Sequence, residues 1–239
     1  MILLRYNDFS TGGELILKFY DYPIISKESS LPVFLVSVGL NEWQYHVKCD
    51  KGDNYAKALY CTKGSGVLIM NGEKHIIKPY TAFFIPASCL HEYYSTDESW
   101  DTHWIKPSGK SCPDMLKALG FDKPKIFPLP KEEITYLDHC FRCMHEALLS
   151  DKVDGNFRAS GYLYSFFIEL SRLAAKGKGS VQIAPAVTKA IAYIDENYMK
   201  QPGLESISKA AGVSSQHLCR LFRQTLNCRP MEYITKRKI

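Results

Sequence analysis

The stretch that most constrains this chain lies near its C-terminal end: Gly212-Val213-Ser214 through Phe222, reading GVSSQHLCRLF. Glycine accepts φ > 0 and turns the chain at Gly212, and Ser214 caps a new helix by accepting a backbone N–H. Leu218, Leu221 and Phe222 then fall at i, i+3 and i+4 and share one buried face. Gln216, Cys219, Arg220 and Arg223 are left on the opposite face, pointing outward. Upstream, Val187, Ala190, Ile191, Ile194 and Tyr198 recur at helical spacing, Gln201-Pro202-Gly203 breaks that helix, and Gly203 caps the next. Leu204, Ile207 and Ala211 face inward along this second helix. Helix, glycine turn, helix with exposed Gln and Arg is the layout of a helix-turn-helix that reads double-stranded DNA.

Charge agrees with that placement. Residues 185–239 hold 9 Lys+Arg against 4 Asp+Glu, whereas residues 1–184 hold 21 of each, so the net charge of +5 sits entirely in the last segment. A neutral body with a basic C-terminal domain suits a polyanion partner at that end; a soluble domain that is basic for no such reason is the plain alternative. A length of 239 residues allows one large domain or two ordinary ones, and 46% hydrophobic content supplies real cores. No apolar run approaches the roughly 18 residues of a membrane span, and the apolar start of MILLRYNDFS is too short for a signal peptide. The expectation is a cytoplasmic protein with no membrane partner. The eight cysteines show no disulfide framework and read as reduced thiols. Cys140-Phe141-Arg142-Cys143, with His139 and His145 beside it, invites a metal or redox site. Ile134, Leu137, Phe141, Met144 and Leu148 nevertheless run a helical apolar stripe through the same segment, and no second ligand pair follows at zinc spacing. No metal and no cofactor is assigned.

From Leu31 onward, short strand-like runs alternate with turn signals. Val33–Val38, Trp43–Lys48, Lys57–Thr62, Val67–Met70, His75–Lys78, Thr81–Ile85, His91–Tyr94 and Trp100–Ile105 follow one another, with one earlier strand at Leu15–Tyr20. Asn71-Gly72 is a type I′ hairpin signal, Lys63-Gly64-Ser65-Gly66 reads as a flexible turn, and Pro86 ends a strand. Many short strands of this spacing indicate a sandwich or small barrel. Strand alternation puts Trp100, Thr102 and Trp104 on one face and His91 with Tyr93 on one face of the preceding strand. Such a lining holds a small polar ligand, with indole stacking on a sugar face, or else the two tryptophans simply fill the barrel.

After Gly109 the period becomes helical. Cys112–Leu119 predicts a short helix ending at Gly120, and Pro124, Pro128 and Pro130 predict a rigid irregular connection. Helices over about 131–150 and 155–175 follow, the second with Phe157, Tyr164, Phe167, Ile168 and Leu173 on a broad apolar face, and together they predict an antiparallel pair. Lys176-Gly177-Lys178-Gly179-Ser180 reads as a solvated linker.

Three of these segments together carry a resemblance. TKGSGVLIMNGEKHIIKPYTAFFIPASCLHEYY followed by WDTHWIKPSG, and AIAYIDENYMKQPGLESISKAAGVSSQHLCRLFRQTLNCRPMEYITKRKI at the end, resemble AraC/XylS-family bacterial transcription regulators. The resemblance implies an α+β chain: a cupin-type β-barrel that binds an effector (1–110), a helical dimerisation segment (111–176), a linker (177–184) and the first helix-turn-helix of the DNA-binding domain (185–239). It implies a homodimer, a small-molecule effector such as a sugar, and no enzymatic activity. By position Tyr93, Thr102 and Trp104 match places that line the effector pocket in arabinose-sensing members, and His91 joins them. Those members carry an arginine in an earlier strand where this chain has Lys48-Cys49, so Lys48 is the candidate there and arabinose itself is not implied. Metal-dependent cupins use an H-x-H motif; none occurs here, which weakens the alternative of a cupin enzyme or sugar-binding module with a helical appendage. His46, His75 and His103 read as surface or hydrogen-bonded structural residues.

Docked as a reading helix, Gln216 and Arg220 reach base edges, Cys219 meets a thymine methyl, Ser215 and Arg223 contact phosphate, and Lys236, Arg237 and Lys238 extend the basic surface. Ser208 stands where the family has a small alanine, and Asn227 where glycine ends the reading helix. Members of the family continue into a second helix-turn-helix, so the resemblance implies that this sequence holds only the first.

Overall fold

The computed structural model describes residues 18–176, 185–200 and 202–237. They form two compact units, one holding every strand and the first three helices, the other holding the remaining helices.

In chain order, the first unit contains β1 (Lys18–Asp21), β2 (Phe34–Asn41), β3 (Val47–Cys49), β4 (Lys57–Cys61), β5 (Gly64–Met70), β6 (Glu73–Ile77), β7 (Thr81–Ile85), β8 (His91–Trp100) and β9 (Thr102–Ser108). Helix α1 (Cys112–Ala118), strand β10 (Lys125–Pro128) and helices α2 (Thr135–Ser150) and α3 (Gly155–Lys176) complete it. The strands make two antiparallel sheets, β1-β2-β9-β4-β7-β10 and β3-β8-β5-β6.

The larger sheet is covered on both faces, and β4 shows why its sequence is apolar at every second position and at those between. Leu59 and Cys61 join Leu68, Met70, Ile77, Phe83, Ile85, Tyr93, Trp100 and Trp104 in a core between the sheets. Ala58 and Tyr60 point the other way, into a second core with Leu137, Phe141 and Met144 of α2 and Leu163, Phe166 and Phe167 of α3. Two consecutive residues on a strand face opposite ways, so a strand buried on both sides loses the polar alternation. The helical segment therefore shares a core with the barrel.

Several local features depend on particular side chains. Asn71 (φ 49°) and Gly72 (φ 86°) form the expected hairpin between β5 and β6. Gly64 and Gly66, read as part of a flexible turn, instead lie within β5. A Cβ on Gly66 would sit 2.3 Å from the Trp100 ring, so the glycine is there to let the indole lie against the strand. The buried Asp101 carboxylate turns the corner between β8 and β9: its Oδ1 accepts from the N–H groups of Thr62 and Lys63, each at 2.7 Å.

At β2 the register with β9 shifts between Leu35 and Ser37, and Leu35 pairs with Pro107, which has no N–H to give. α3 supplies what is missing. Ser160 Oγ accepts from Leu35 N–H at 3.1 Å, and Asn156 Nδ2 donates to Leu35 C=O at 3.2 Å.

Two sequence expectations change here. The proline-rich segment is not wholly irregular: Lys125–Pro128 adds an edge strand to β7, where a missing N–H is tolerated. Trp43–Lys48 narrows to Val47–Cys49, because Trp43 is more than half exposed and makes a single isolated bridge to Trp100. On α3, Phe167 and Leu173 are buried while Tyr164 and Ile168 face outward. The predicted linker, the start of the Leu15–Tyr20 strand and the side chains of Lys236, Arg237 and Lys238 lie outside the described residues.

In the second unit, α4 (Pro185–Asn197), α5 (Leu204–Ala211), α6 (Ser215–Leu226) and α7 (Pro230–Arg237) close around Val187, Ala190, Ile194, Ile207, Leu218, Phe222 and Ile234. Among the described residues no helix is long and apolar enough to cross a membrane.

The two glycines give a paired expectation. Gly72→Ala meets nothing within 4 Å and costs only the left-handed backbone strain of about 1–2 kcal/mol. Gly66→Ala must push the Trp100 ring aside and costs up to about 3 kcal/mol. Urea unfolding of both variants checks the order.

Candidate binding site in the barrel and candidate nucleic-acid interface

The inward face of the barrel carries polar groups at one end. On β9, Thr102, Trp104 and Lys106 point inward; on β8, His91 and Tyr93; on β4, Lys57. Tyr20 of β1 pairs across from Gly39, and its ring stacks on Trp104 at 5.9 Å, with Tyr22 against the same indole at 5.9 Å. The absence of a side chain at Gly39, which faces Trp104 in β9, leaves room for that stack. Tyr22 and Tyr45 are both more than half exposed, so this end opens to solvent.

Beside the aromatics stands a charged cluster. Lys57 Nζ is 3.1 Å from Asp53 Oδ2, 3.0 Å from His91 Nε2 and 3.9 Å from Cys49 Sγ. Lys106 Nζ is 2.7 Å from the same Asp53 oxygen. His91 Nδ1 lies 2.8 Å from the Cys89 carbonyl, which can only accept, so Nδ1 carries the proton and Nε2 receives one from Lys57. Burial lowers the His91 pKa, and the Lys57 charge lowers it further against the pull of the Cys89 carbonyl, so the ring is neutral near pH 7. Partial burial alone would raise the Asp53 carboxyl, but hydrogen bonds from Lys106 and Lys57 outweigh it and hold the pKa down to about 2. Burial pushes the Tyr93 hydroxyl up, which keeps it protonated as a donor.

The sequence-predicted residues sort as follows. His91, Tyr93 and Trp104 come together at this end. Thr102 is inward and fully buried, and its hydroxyl donates to Gln44 Oε1. Lys48 faces outward from β3, is exposed and pairs with Asp50 at 3.4 Å; its inward neighbours Val47 and Cys49 take the places facing Tyr93 and His91. Sequence reasoning missed Asp53, Lys57, Lys106, Tyr20 and Tyr22. The parity of Lys106 with Trp104 was available to it, but the opposed burial of Lys57 and its neighbours was not. His103 points away from the barrel interior and stacks on Tyr60 at 4.4 Å. The other side of that contact is α2, where Tyr60 Oη donates to Asp138 at 2.6 Å. His46 pairs with Glu92 at 2.8 Å at the surface. On α2, His139 lies within 4 Å of Cys143 Sγ, but Cys140 is buried in the apolar core. Among the described residues no three His, Cys, Asp or Glu side chains group as metal ligands. His91 in particular faces an ammonium, which repels a cation.

In the second unit Gly212 is left-handed (φ 71°) and Ser214 Oγ accepts from His217 N–H at 3.2 Å, as the sequence demands. Asn227 adopts φ 51° and ends α6 where a glycine would serve. Leu218 and Phe222 are fully buried, while Gln216, Arg220 and Arg223 are exposed and Cys219 is half-buried. Ser215 turns inward: its hydroxyl meets that of Ser208 at 2.9 Å, which satisfies a buried serine on α5. His217, overlooked in the sequence, accepts from Arg220 Nη2 at 2.8 Å and holds that guanidinium at the outer face.

A family model described as the AraC-like ligand binding domain matches residues 53–167, which run from Asp53 through β4 to β10, α1 and α2 into α3 and leave β1 to β3 outside the match. The chain is 24% identical over 179 residues to the lactose operon transcription activator of Staphylococcus xylosus, covering 73% of this chain and 63% of that protein. It therefore spans less than two thirds of that relative's length. Among solved structures, the AraC-like transcriptional activator CuxR aligns over 92% of this chain and 84% of its own, at 14% identity and a TM-score of 0.40. Fatty-acid-bound ToxT from Vibrio cholerae aligns over 85% and 93%, at 13% identity and a TM-score of 0.36.

The Asp53 cluster inside the AraC-like domain sets a pH dependence. A carboxylate whose folded pKa is depressed stabilises the fold above its unfolded pKa of about 4 and loses that contribution as pH falls toward 2. Asp53→Asn leaves two lysines without their anion and costs about 2 kcal/mol at pH 7. The gap to wild type should close between about pH 4 and 2 in urea titrations.

Proposed function

We propose that this chain is an effector-responsive, sequence-specific DNA-binding transcription regulator. A small metabolite, a sugar among the candidates, occupies the open end of the AraC-like barrel, and the helix-turn-helix meets DNA through α6. The observation that carries the reading is the pairing of an AraC-like ligand-binding domain with a second unit whose capped helix presents Gln216, Arg220 and Arg223 outward. A regulator of a sugar operon among the relatives supports it, as does the excess of positive charge in residues 185–239. A protein of this role works in the cytoplasm.

In that reading Arg220 pairs with guanine and Gln216 with adenine in the major groove, and Arg223 contacts phosphate. Ser215, engaged with Ser208, serves the packing of α5 on α6 more than it serves a phosphate, and the half-buried Cys219 remains within reach of a thymine methyl. Effector occupancy acts by binding two arrangements of the protein with different affinity. Two copies associate through the outward stripe of the helical segment, where Tyr164 and Ile168 on α3 stay about half exposed.

Two measurements test these assignments. Selection of bound sequences from a random DNA pool followed by Arg220→Ala should lower discrimination at one base pair by about 1–3 kcal/mol; unchanged affinity and preference removes Arg220 from base reading. Ile168→Asp should shift sedimentation from dimer to monomer at micromolar protein without loss of the folded circular dichroism spectrum; a dimer that persists places the interface elsewhere.

A further inference from the structure

We propose that the ligand of the barrel is a small carboxylic acid, its carboxylate received by Lys106 and its flat face laid on Trp104. This rests on the reading of the barrel as the ligand site and narrows it to a charge class.

Counting charge at the open end leads there. Lys57 and Lys106 both reach Asp53, at 3.1 and 2.7 Å, and no other carboxylate pairs with either among the described residues. His91 contributes no charge, because its Nε2 accepts from Lys57. The cluster therefore keeps one positive charge uncompensated. The two ammonium groups are not equivalent. Lys57 has a side chain only 7% exposed and three acceptors around its three protons: Asp53, His91 and the Cys49 sulfur. Lys106 is 21% exposed and, among the described residues, has Asp53 as its one partner. The spare charge and the spare donors thus coincide on Lys106, at the side open to solvent.

An ammonium drawn largely out of water with protons unspent is costly unless an anion joins it, and such a charge-assisted bond is about twice as strong as a neutral one. A neutral sugar gives it no such partner. One residual positive charge matches a monoanionic carboxylate, whereas a phosphate dianion leaves an excess negative charge beside Asp53. Lys106 and Trp104 point inward from the same strand two residues apart, about 7 Å along it. A single ring bearing a carboxylate spans that distance. Tyr20 and Tyr22 both rest against the indole, Tyr22 being the more exposed of the two, and the protonated Tyr93 hydroxyl faces the same space.

The test uses matched pairs at constant ionic strength on the full chain: benzoate against benzamide, and glucuronate against glucose, read by thermal shift and by tryptophan fluorescence. An acid should stabilise the protein where its neutral partner does not. Lys106→Met should weaken that acid about tenfold or more, Lys106→Arg should keep most of the affinity, and Lys48→Met on the outer face should change nothing. Urea unfolding first confirms that each variant folds. Neutral partners that bind as well as the acids, with affinity lost in Trp104→Phe, overturn the acid while leaving the barrel as the ligand site. A response to acids that survives both Lys106→Met and Trp104→Phe, or no response to either acid at millimolar concentration, overturns the proposal.

Discussion

The structure depends on one strand having to satisfy two cores at once. β4 contributes Leu59 and Cys61 to the barrel interior and Ala58 and Tyr60 to the layer beneath the helices, with Lys57 at the end of the inward row. No residue on it is spare. Tyr60 is the point at which the two layers are joined by direction as well as by contact, because its hydroxyl reaches Asp138 on α2 while its ring lies against His103. A buried tyrosine needs a partner for its O–H. Here that need ties the central sheet to the helix that covers it.

From this follows the division of labour inside the first unit. At the open end β1, β4, β8 and β9 turn polar and aromatic side chains inward, next to aliphatic ones such as Ile85 and Met70 on β7 and β5. Asp53 sits just before β4 and Lys106 near the end of β9, so the charged cluster forms where strands enter and leave the barrel. The charges are close enough to neutralise one another in part, which is what allows two lysines to lie at the edge of an apolar core.

Much of this was legible in the sequence, for definite reasons. Asn71-Gly72 located a hairpin because both positions need φ > 0, and the Gly212-to-Phe222 stretch located a capped helix because its apolar spacing admits one face. The inward placement of Trp104, Tyr93 and His91 followed from alternation alone. What failed were features set by partners distant in the chain. Gly66 looked like a turn because nothing nearby shows that the Trp100 ring needs its space. Lys48 looked like a pocket residue because it stands where the resembling family has an arginine, while the register against β8 that turns it outward is a long-range property. Lys57 was hidden inside an unbroken apolar strand, where a charge is legible only once its carboxylate is known. Ser215 passed for a phosphate contact because Ser208, its partner, lies across the turn.

The clasp at the β2 bulge has a consequence of a different kind. Where helices meet sheets through aliphatic side chains alone, small slips change little, since dispersion contacts re-form in many nearby arrangements. α3 does not have that freedom at Leu35. It is bonded to both the N–H and the C=O of one residue, through side chains one helical turn apart. Hydrogen bonds lengthen or misalign at measurable cost within a few tenths of an ångström. The helix is thus indexed to the strand like a gear tooth in its slot. It can travel with the barrel wall, or jump to another seat, but it cannot drift.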